Sequence, residues 1–389
     1  MSPVQSERSR LSAHLIFVAI AASNLFVLQL YWKTVIADRN LLDQDFLGYY
    51  TAASLPPSMI YDINQQRNVQ TNLLGQPYGV PAGVLLFNHP PFLVPIVRLL
   101  ANGNYVESYR RWAALLFAIS LACSVIIYLL LRDVGHTAAF SGLSAFTALL
   151  FYPSYRSIEI GTDTTVALLG VLLWALFLIK QKERAAGLAL SLTLIKPHLA
   201  LILAAATLAR TRRGFLTFLL GGAVITAFSI YYVGTEGVFD LIENIKFSAD
   251  GEALGVFFVK QYNFMGLLAR LGISKALVTV AGWLAFFLVI VLVAVYRRAI
   301  ALDLWLALTV SLAIFVAPNL HFHDLALLLL PMTVIARQMR GQLAPFVFLP
   351  LSPILILGVG LTIAGYSMQA LAVLLAFYTE RRITGRTIR

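Results

Sequence analysis

Cysteine is all but missing from this 389-residue chain: Cys123 is the only one, set in the apolar run "LLFAISLACSVIIYLLL". A lone thiol excludes an internal disulfide and a thiolate metal cluster, and at that place it faces lipid or fills packing. Charge is scarce as well, at 12% of residues. The motifs of several enzyme classes are absent. Without a Walker phosphate loop, a Gly-x-Ser-x-Gly turn or a His-Glu-x-x-His helix, neither a nucleotide-driven pump nor a typical membrane protease has support. No basic block alternates with aromatics, so the net charge of +11 does not point to nucleic acid.

What the chain has is apolar length. Hydrophobic residues make up 59% of it and the mean hydropathy is +0.81, values of an all-α integral membrane protein with many crossings. The first apolar segment, Leu11 to Trp32, runs well past an "AIAA" that imitates a cleavage site, and reads as an uncleaved anchor. Further spans are expected at roughly 111–131, 136–152, 161–179, 214–233, 276–296, 301–317, 323–336, 343–362 and 366–379. Two stretches fit less simply. "HPPFLVPIVRLLA", from His89 to Ala101, is too short to cross about 30 Å of hydrocarbon and is broken by prolines. It re-enters, or it ends a span that begins near Ala82. Between Arg184 and Ala209 a Lys-Pro in "IKPHL" divides an apolar run into two halves, each too short to span, which predicts a hairpin with its tip inside the membrane.

Lys and Arg collect at short breaks: "KQKER", "RTRRG", "YRR", "RQMRG" and "ERRITGR". The positive-inside rule makes those breaks cytoplasmic. With the amino terminus also inside, residues 33–81 and 234–275 form two long outer loops of one polytopic domain covering 1–389. The breaks "YPSYRSIEIGTD" and "APNLHFHD" then lie outside too, with the "KPH" tip pointing outward from within the bilayer. Polar residues with no obvious solubility role therefore share one side.

Those residues carry the candidate chemistry. Asp43 and Asp45 in "LLDQDFLGYYTAAS" diverge by about 200° on a helix, so they are not a paired acid and base. Each is a first-turn carboxylate for an interfacial helix, or one is a general base beside a nucleophilic hydroxyl. His89 in "FNHPPF" sits at a rigid corner that aims its ring, or is an interfacial turn histidine. The His-x-His of His321 and His323 can share a metal on a strand, yet spacing offers no third ligand. Lys196 and His198 are ionisable groups at membrane depth, which mark a cavity, a partner or a pathway unless they snorkel. With Arg156 they suit a phosphate held at headgroup level. Asp163 in "EIGTDTT" caps its helix or pairs with one of these cations; capping is the expectation.

Four stretches in order, "DFLGYYTAA", "NHPPF", "GLALSLTLIKPHLALIL" and "APNLHFHDLALLLLP", resemble the polyprenol-phosphate-sugar-dependent glycosyltransferases of family 87, over residues 45 to 331. The resemblance implies a GT-C-like helical bundle of about 10 to 12 crossings, whose first outer loop carries short interfacial helices over a cavity between helices. It implies transfer of a sugar, often mannose, from a polyprenyl phosphate to a lipid or glycan acceptor among membrane lipids; no cofactor is expected, and a divalent metal is the alternative that ligand spacing does not support. The expected setting is a bacterial inner (cell) membrane, with the site on the periplasmic or extracytoplasmic side.

By position Asp45 matches the family's acidic residue, its proposed general base, and Asp43 does not. The chain departs from the family at "IGTDTT", where relatives often have a Gly-Gln-x-Asn-like turn, and at "HFHD", which varies. On this reading Lys196, His198 and Arg156 hold the leaving phosphate, and Asp45 takes the acceptor proton in one inverting displacement. Tyr49, Tyr50, His89, His321, His323 and Asp324 line the donor or acceptor. A flippase or transporter of lipid-linked sugars is the rival from another class. It would place ionisable groups near the midplane and show internal repeats, and neither is visible here. A non-catalytic scaffold subunit is a third reading.

Overall fold

The computed structural model describes residues 25–30, 45–249, 258–298 and 300–338, with a few isolated positions beyond them. Asp43, the expected span 343–362, most of the expected spans 366–379 and 12–32, and parts of both long loops lie outside the described residues. Every regular element among the described residues is helical.

The segment expected as the first outer loop holds α1 (Phe46–Ser54) and α2 (Ile63–Leu74), followed by an irregular stretch and the short α3 (Val94–Leu100). Even with its leading turn, the segment Pro91–Leu100 is too short to cross a bilayer. Among the described residues three helices are long and apolar enough to cross: α4 (Tyr105–Asp133), α10 (Arg212–Ala249) and α12 (Lys275–Val295). Among the shorter apolar helices are α5 (Ala138–Leu149), α7 (Thr164–Ile179), α9 (Pro197–Arg210) and α13 (Leu302–Val316). These rise only about 18–24 Å each, and flanking turns extend them. The remaining helices are α6 (Tyr152–Ile160), α8 (Glu183–Leu190), α11 (Phe264–Arg270) and α14 (Leu329–Gln338).

The centre of the bundle is α7. It is apolar on nearly every side and buried on nearly every side, as a helix with no polar face must be. Trp174 of α7 donates its indole N–H to Thr207 of α9 at 3.0 Å and packs on Trp305 of α13 at 6.1 Å between rings.

The bundle has two unlike ends. At one end lie Lys180 with Asp133, Arg337 with Asp303 at 3.0 Å and Arg210 on the Arg297 carbonyl. The other end gathers the start of α1, the α6–α7 corner and the turn after α13.

From the basic end, α8 climbs through a 3-10 segment, Ser191–Ile195, to Lys196, and α9 descends from Pro197. The start of α8 and the end of α9 both meet the first turn of α10, since Glu183, Thr207 and Thr211 all surround Gly214. The chain therefore reverses at the Lys-Pro step. Proline at the first helical position costs no hydrogen bond and fixes the turn.

Beyond the site end α10 does not pass straight into a loop. It kinks at Gly234, which has φ +74, and its second half lies across the outer loop. There Asn244 donates to the Tyr61 carbonyl at 2.9 Å. The segment read as loop from residue 234 thus stays helical to Ala249, because it has the outer loop to pack on.

Helices α8 and α10 approach closely at Gly187 and Gly214. A Cβ on Gly187 would collide with the Gly214 carbonyl oxygen and the Thr217 hydroxyl, and small residues are what let membrane helices approach this closely. Gly187→Ala is therefore expected to cost about 1–3 kcal/mol, since a backbone atom cannot yield. Gly142→Ala on α5, where a Cβ meets nothing within 4 Å, should be neutral or gain up to about 1 kcal/mol. Denaturation of both variants in detergent checks the contrast; equal midpoints would refute the close packing.

Candidate functional site

The α6–α7 corner presents the first carboxylate. Gly161 ends α6 with φ +73 and donates its N–H to the Ile158 carbonyl. A side chain there would strike Phe46 at 2.6 Å, and the Trp112 indole locks the Gly161 carbonyl at 2.8 Å. Asp163, two residues on, stands at the cap position of α7 yet makes no side-chain cap bond. The expectation of a capping role is thereby corrected. The carboxylate turns inward, where Lys196 lies 3.4 Å from Oδ1, and His89 Nδ1 (2.9 Å) and the Tyr49 hydroxyl (2.5 Å) meet Oδ2. Cationic partners at that depth outweigh one backbone N–H.

The second carboxylate, Asp324, comes from the 3-10 segment Phe322–Leu328 that follows α13. Its Oδ1 receives Lys196 at 2.9 Å and the Thr164 hydroxyl at 2.7 Å, and its Oδ2 receives the His321 backbone N–H at 2.9 Å. One ammonium at the hairpin tip thus bridges two carboxylates from separate parts of the chain.

All three groups sit in breaks between helices, and their charges fix one another. Burial alone would raise the Asp163 and Asp324 carboxyls, but Lys196, with His89 at Asp163 and the His321 backbone N–H at Asp324, holds both well below the usual carboxylate range. Burial would likewise lower Lys196, and the two carboxylates push it above its ordinary value instead. The trio carries a net charge of −1. Burial pushes the His323 imidazole down to about 4 in spite of Asp324 beside it, so His323 is neutral at physiological pH.

The expected site residues divide by geometry. Asp45 precedes α1, and with Tyr49 four residues on it shares a helix face. Its carboxylate makes no hydrogen bond or ion pair with any described residue, and its charge reaches Tyr49, Tyr105 and His323. Tyr50 turns away, stacking edge-on against Tyr105 at 5.1 Å between rings. Arg156 pairs within α6 with Glu159 and keeps about a third of its side chain exposed, at 37%. His198 encloses an Nε2 atom that has no hydrogen-bond partner. His321 and His323 stack at 5.7 Å. Among the described residues no three His, Cys, Asp or Glu side chains are placed to share a metal ion.

Two residues that the motif reading passed over position the site. Gln66 and Gln70, one turn apart on α2, are fully buried. Gln66 accepts the Phe87 N–H at 2.8 Å and donates to the Ile60 carbonyl, while Gln70 takes both the N–H and the carbonyl of Leu85. This clamp, with the Tyr61 hydroxyl on the His89 carbonyl at 2.6 Å, fixes an irregular segment and aims His89. The only signal in the sequence was an i, i+4 amide pair on a helix without an apolar stripe.

The sequence profile described as glycosyltransferase family 87 matches residues 87–331, more than half of the chain. The chain belongs to glycosyltransferase family 87. No curated protein and no solved structure matches it. As a member of that family it is a glycosyltransferase, acting on a sugar donor and an acceptor. The matched segment takes in His89, Asp163, Lys196 and Asp324; Asp45 and Tyr49 precede it, and Tyr49 joins the cluster through its bond to Asp163.

Removing the shared cation should leave two buried carboxylates uncompensated. Lys196→Met is expected to destabilise this glycosyltransferase by roughly 3–5 kcal/mol, and Lys196→Met with Asp324→Asn should recover part of the loss. A double-mutant cycle in detergent reads the coupling; additive costs would show that the bridge carries no energy of its own.

Proposed function

We propose that this family 87 enzyme transfers a hexose, mannose foremost, from a polyprenyl-phosphate sugar to a hydroxyl of a lipid or glycan acceptor. Asp45 acts as general base. The observation that carries this reading is the state of the three carboxylates at the site end. Asp163 and Asp324 are both ion-paired with Lys196 and held below the usual range, which makes them weak bases, whereas Asp45 is unengaged among the described residues. A general base needs a free carboxylate within reach of the proton that it removes.

The chemistry then balances simply. The acceptor oxygen attacks the anomeric carbon, its proton passes to Asp45, and the bond from that carbon to the phosphate oxygen breaks. Polyprenyl phosphate leaves as an anion, so it needs donors and not an acid. His89, with Nδ1 held by Asp163, has Nε2 left for the phosphate, and Arg156 and His321 stand on the same end of the bundle. Lys196 and His198 lie deeper and order the pocket wall with His323. A single displacement inverts the anomeric centre. Retention would need a second carboxylate free to act as nucleophile about 5 Å from the first, and both neighbours are occupied.

The charge distribution supports an extracytoplasmic site, because the basic end lies opposite. It accords with a GT-C-like bundle of about 10 to 12 crossings in a bacterial cell membrane, with residues 33–81 and 234–275 as its outer loops.

Purified protein given polyprenyl-phosphate mannose and candidate acceptors provides the test. Asp45→Asn should lower transfer about 10²–10⁴-fold while the protein stays folded, Asp43→Asn should not, and the product should be inverted. Movement of the donor across a bilayer with no bond broken would sink the enzyme reading. For sidedness, Ser58→Cys, exposed in the outer loop, should react with an impermeant thiol reagent from outside; labelling from the cytoplasm alone would reverse the orientation.

A further inference from the structure

A cavity of about 740 Å³ opens at the basic end, away from the cluster just described, between the α7–α8 turn, the α9–α10 junction and the start of α13. Its volume falls in the range of ligand sites. Lys182, Arg184, Arg210 and Arg213 face it with one carboxylate, Glu183, and Leu178 and Leu302 supply apolar wall. We propose that this cavity is a binding site for a phosphate monoester or diester, carried by an anionic lipid headgroup or by a soluble compound.

Basic residues at a cytoplasmic end are ordinary by themselves, since the positive-inside rule puts them there. Four features separate this set from a solvated rim. The cations line a concavity. Lys182, Arg184 and Arg213 have no ion-pair partner among the described residues. Arg210 is preorganised: its guanidinium lies 5.3 Å over the Trp305 ring and donates to the Arg297 carbonyl, which leaves its other N–H groups for a ligand. Finally, α8 and α13 both begin at the cavity without a side-chain cap, and so contribute unclaimed backbone N–H groups and the positive ends of their dipoles.

The turn that carries Lys182 is also held in a costly shape. Gln181 has φ +57, the only non-glycine residue with positive φ among the described residues, and such positions persist where the surroundings require them. Basic pockets between membrane helices on this side suit phosphate headgroups. The cavity lies at the foot of the hairpin whose tip is Lys196, so an occupant would tie together the same helices that carry the site.

The test uses the full chain, delipidated in neutral detergent, and reads the thermal midpoint against three titrants. These are phosphatidylglycerol in mixed micelles, phosphatidylcholine at the same mole fraction, and inorganic phosphate at ionic strength matched with chloride. The expected result is a saturable rise with phosphatidylglycerol or phosphate that phosphatidylcholine does not give. Half-saturation should weaken about thirty-fold in R184Q/R213Q and about five-fold in K182Q, at about one charge's worth of attraction each. R212Q removes a neighbouring cation that does not line the cavity, and should shift it less than two-fold. A response to phosphatidylglycerol alone identifies a lipid headgroup, and a response to phosphate as well identifies a soluble ligand. No saturable rise with either titrant, or an equal loss in R212Q, overturns the proposal. K182Q keeps the test open if the double variant does not fold.

Discussion

One ammonium between two carboxylates holds the site end together. Lys196 reaches Asp163 at 3.4 Å and Asp324 at 2.9 Å, and none of the three can be buried alone without a penalty of several kcal/mol per ion. The trio therefore forms only if the hairpin tip, the α6–α7 corner and the turn after α13 arrive together. Each approach has its own device: Pro197 reverses the chain, Gly161 closes the corner in a left-handed conformation, and the Asp324 carboxylate binds its own turn through the His321 N–H. The remaining negative charge recruits the outer loop. Tyr49 and His89 both donate toward Asp163, and this contact anchors α1 with Asp45 at its start. A residue at the start of α1 is thus positioned by a lysine 151 positions away.

Much of the architecture was legible in the sequence because it follows from local chemistry. Apolar runs, basic breaks and the Lys-Pro step each act within a few residues, and the helices and the chain reversal appear where those signals stand. Lengths were less legible. The run read as a span at 323–336 opens as a 3-10 segment, because a buried aspartate there must keep its partners instead of helical spacing. The run after Gly234 stays helical because the outer loop offers it a surface.

The site was legible as a list and not as a set of relations. Asp163 looked like a cap since only its local context could be read; its real partners lie 33, 74 and 114 positions away in Lys196, His89 and Tyr49. Tyr49 and Tyr50 were equivalent on paper, and the helix turns one into the cluster and the other onto Tyr105. Gln66 and Gln70 escaped notice because backbone clamping leaves no motif. The amides hold a segment with no regular hydrogen bonding of its own, and its shape could not be foreseen either.

The charge count at the cluster also constrains how a lipid phosphate could approach. Lys196 is the deepest cation, and taken alone it would be the natural anchor for a leaving phosphate. Yet it is already shared by two carboxylates, so a phosphate moving toward it would first meet their negative charge. An anion is better received on the outer side of His89, whose Nδ1 is held by Asp163 while the ring is 30% exposed. In that arrangement Asp163 orients the imidazole and Asp324 the pocket wall, as a carboxylate behind a catalytic histidine does, without touching the reacting atoms. The buried lysine then serves to neutralise the orienting acids, and on the proposed mechanism a donor phosphate would be kept near the loop that carries Asp45, where the acceptor hydroxyl would also come.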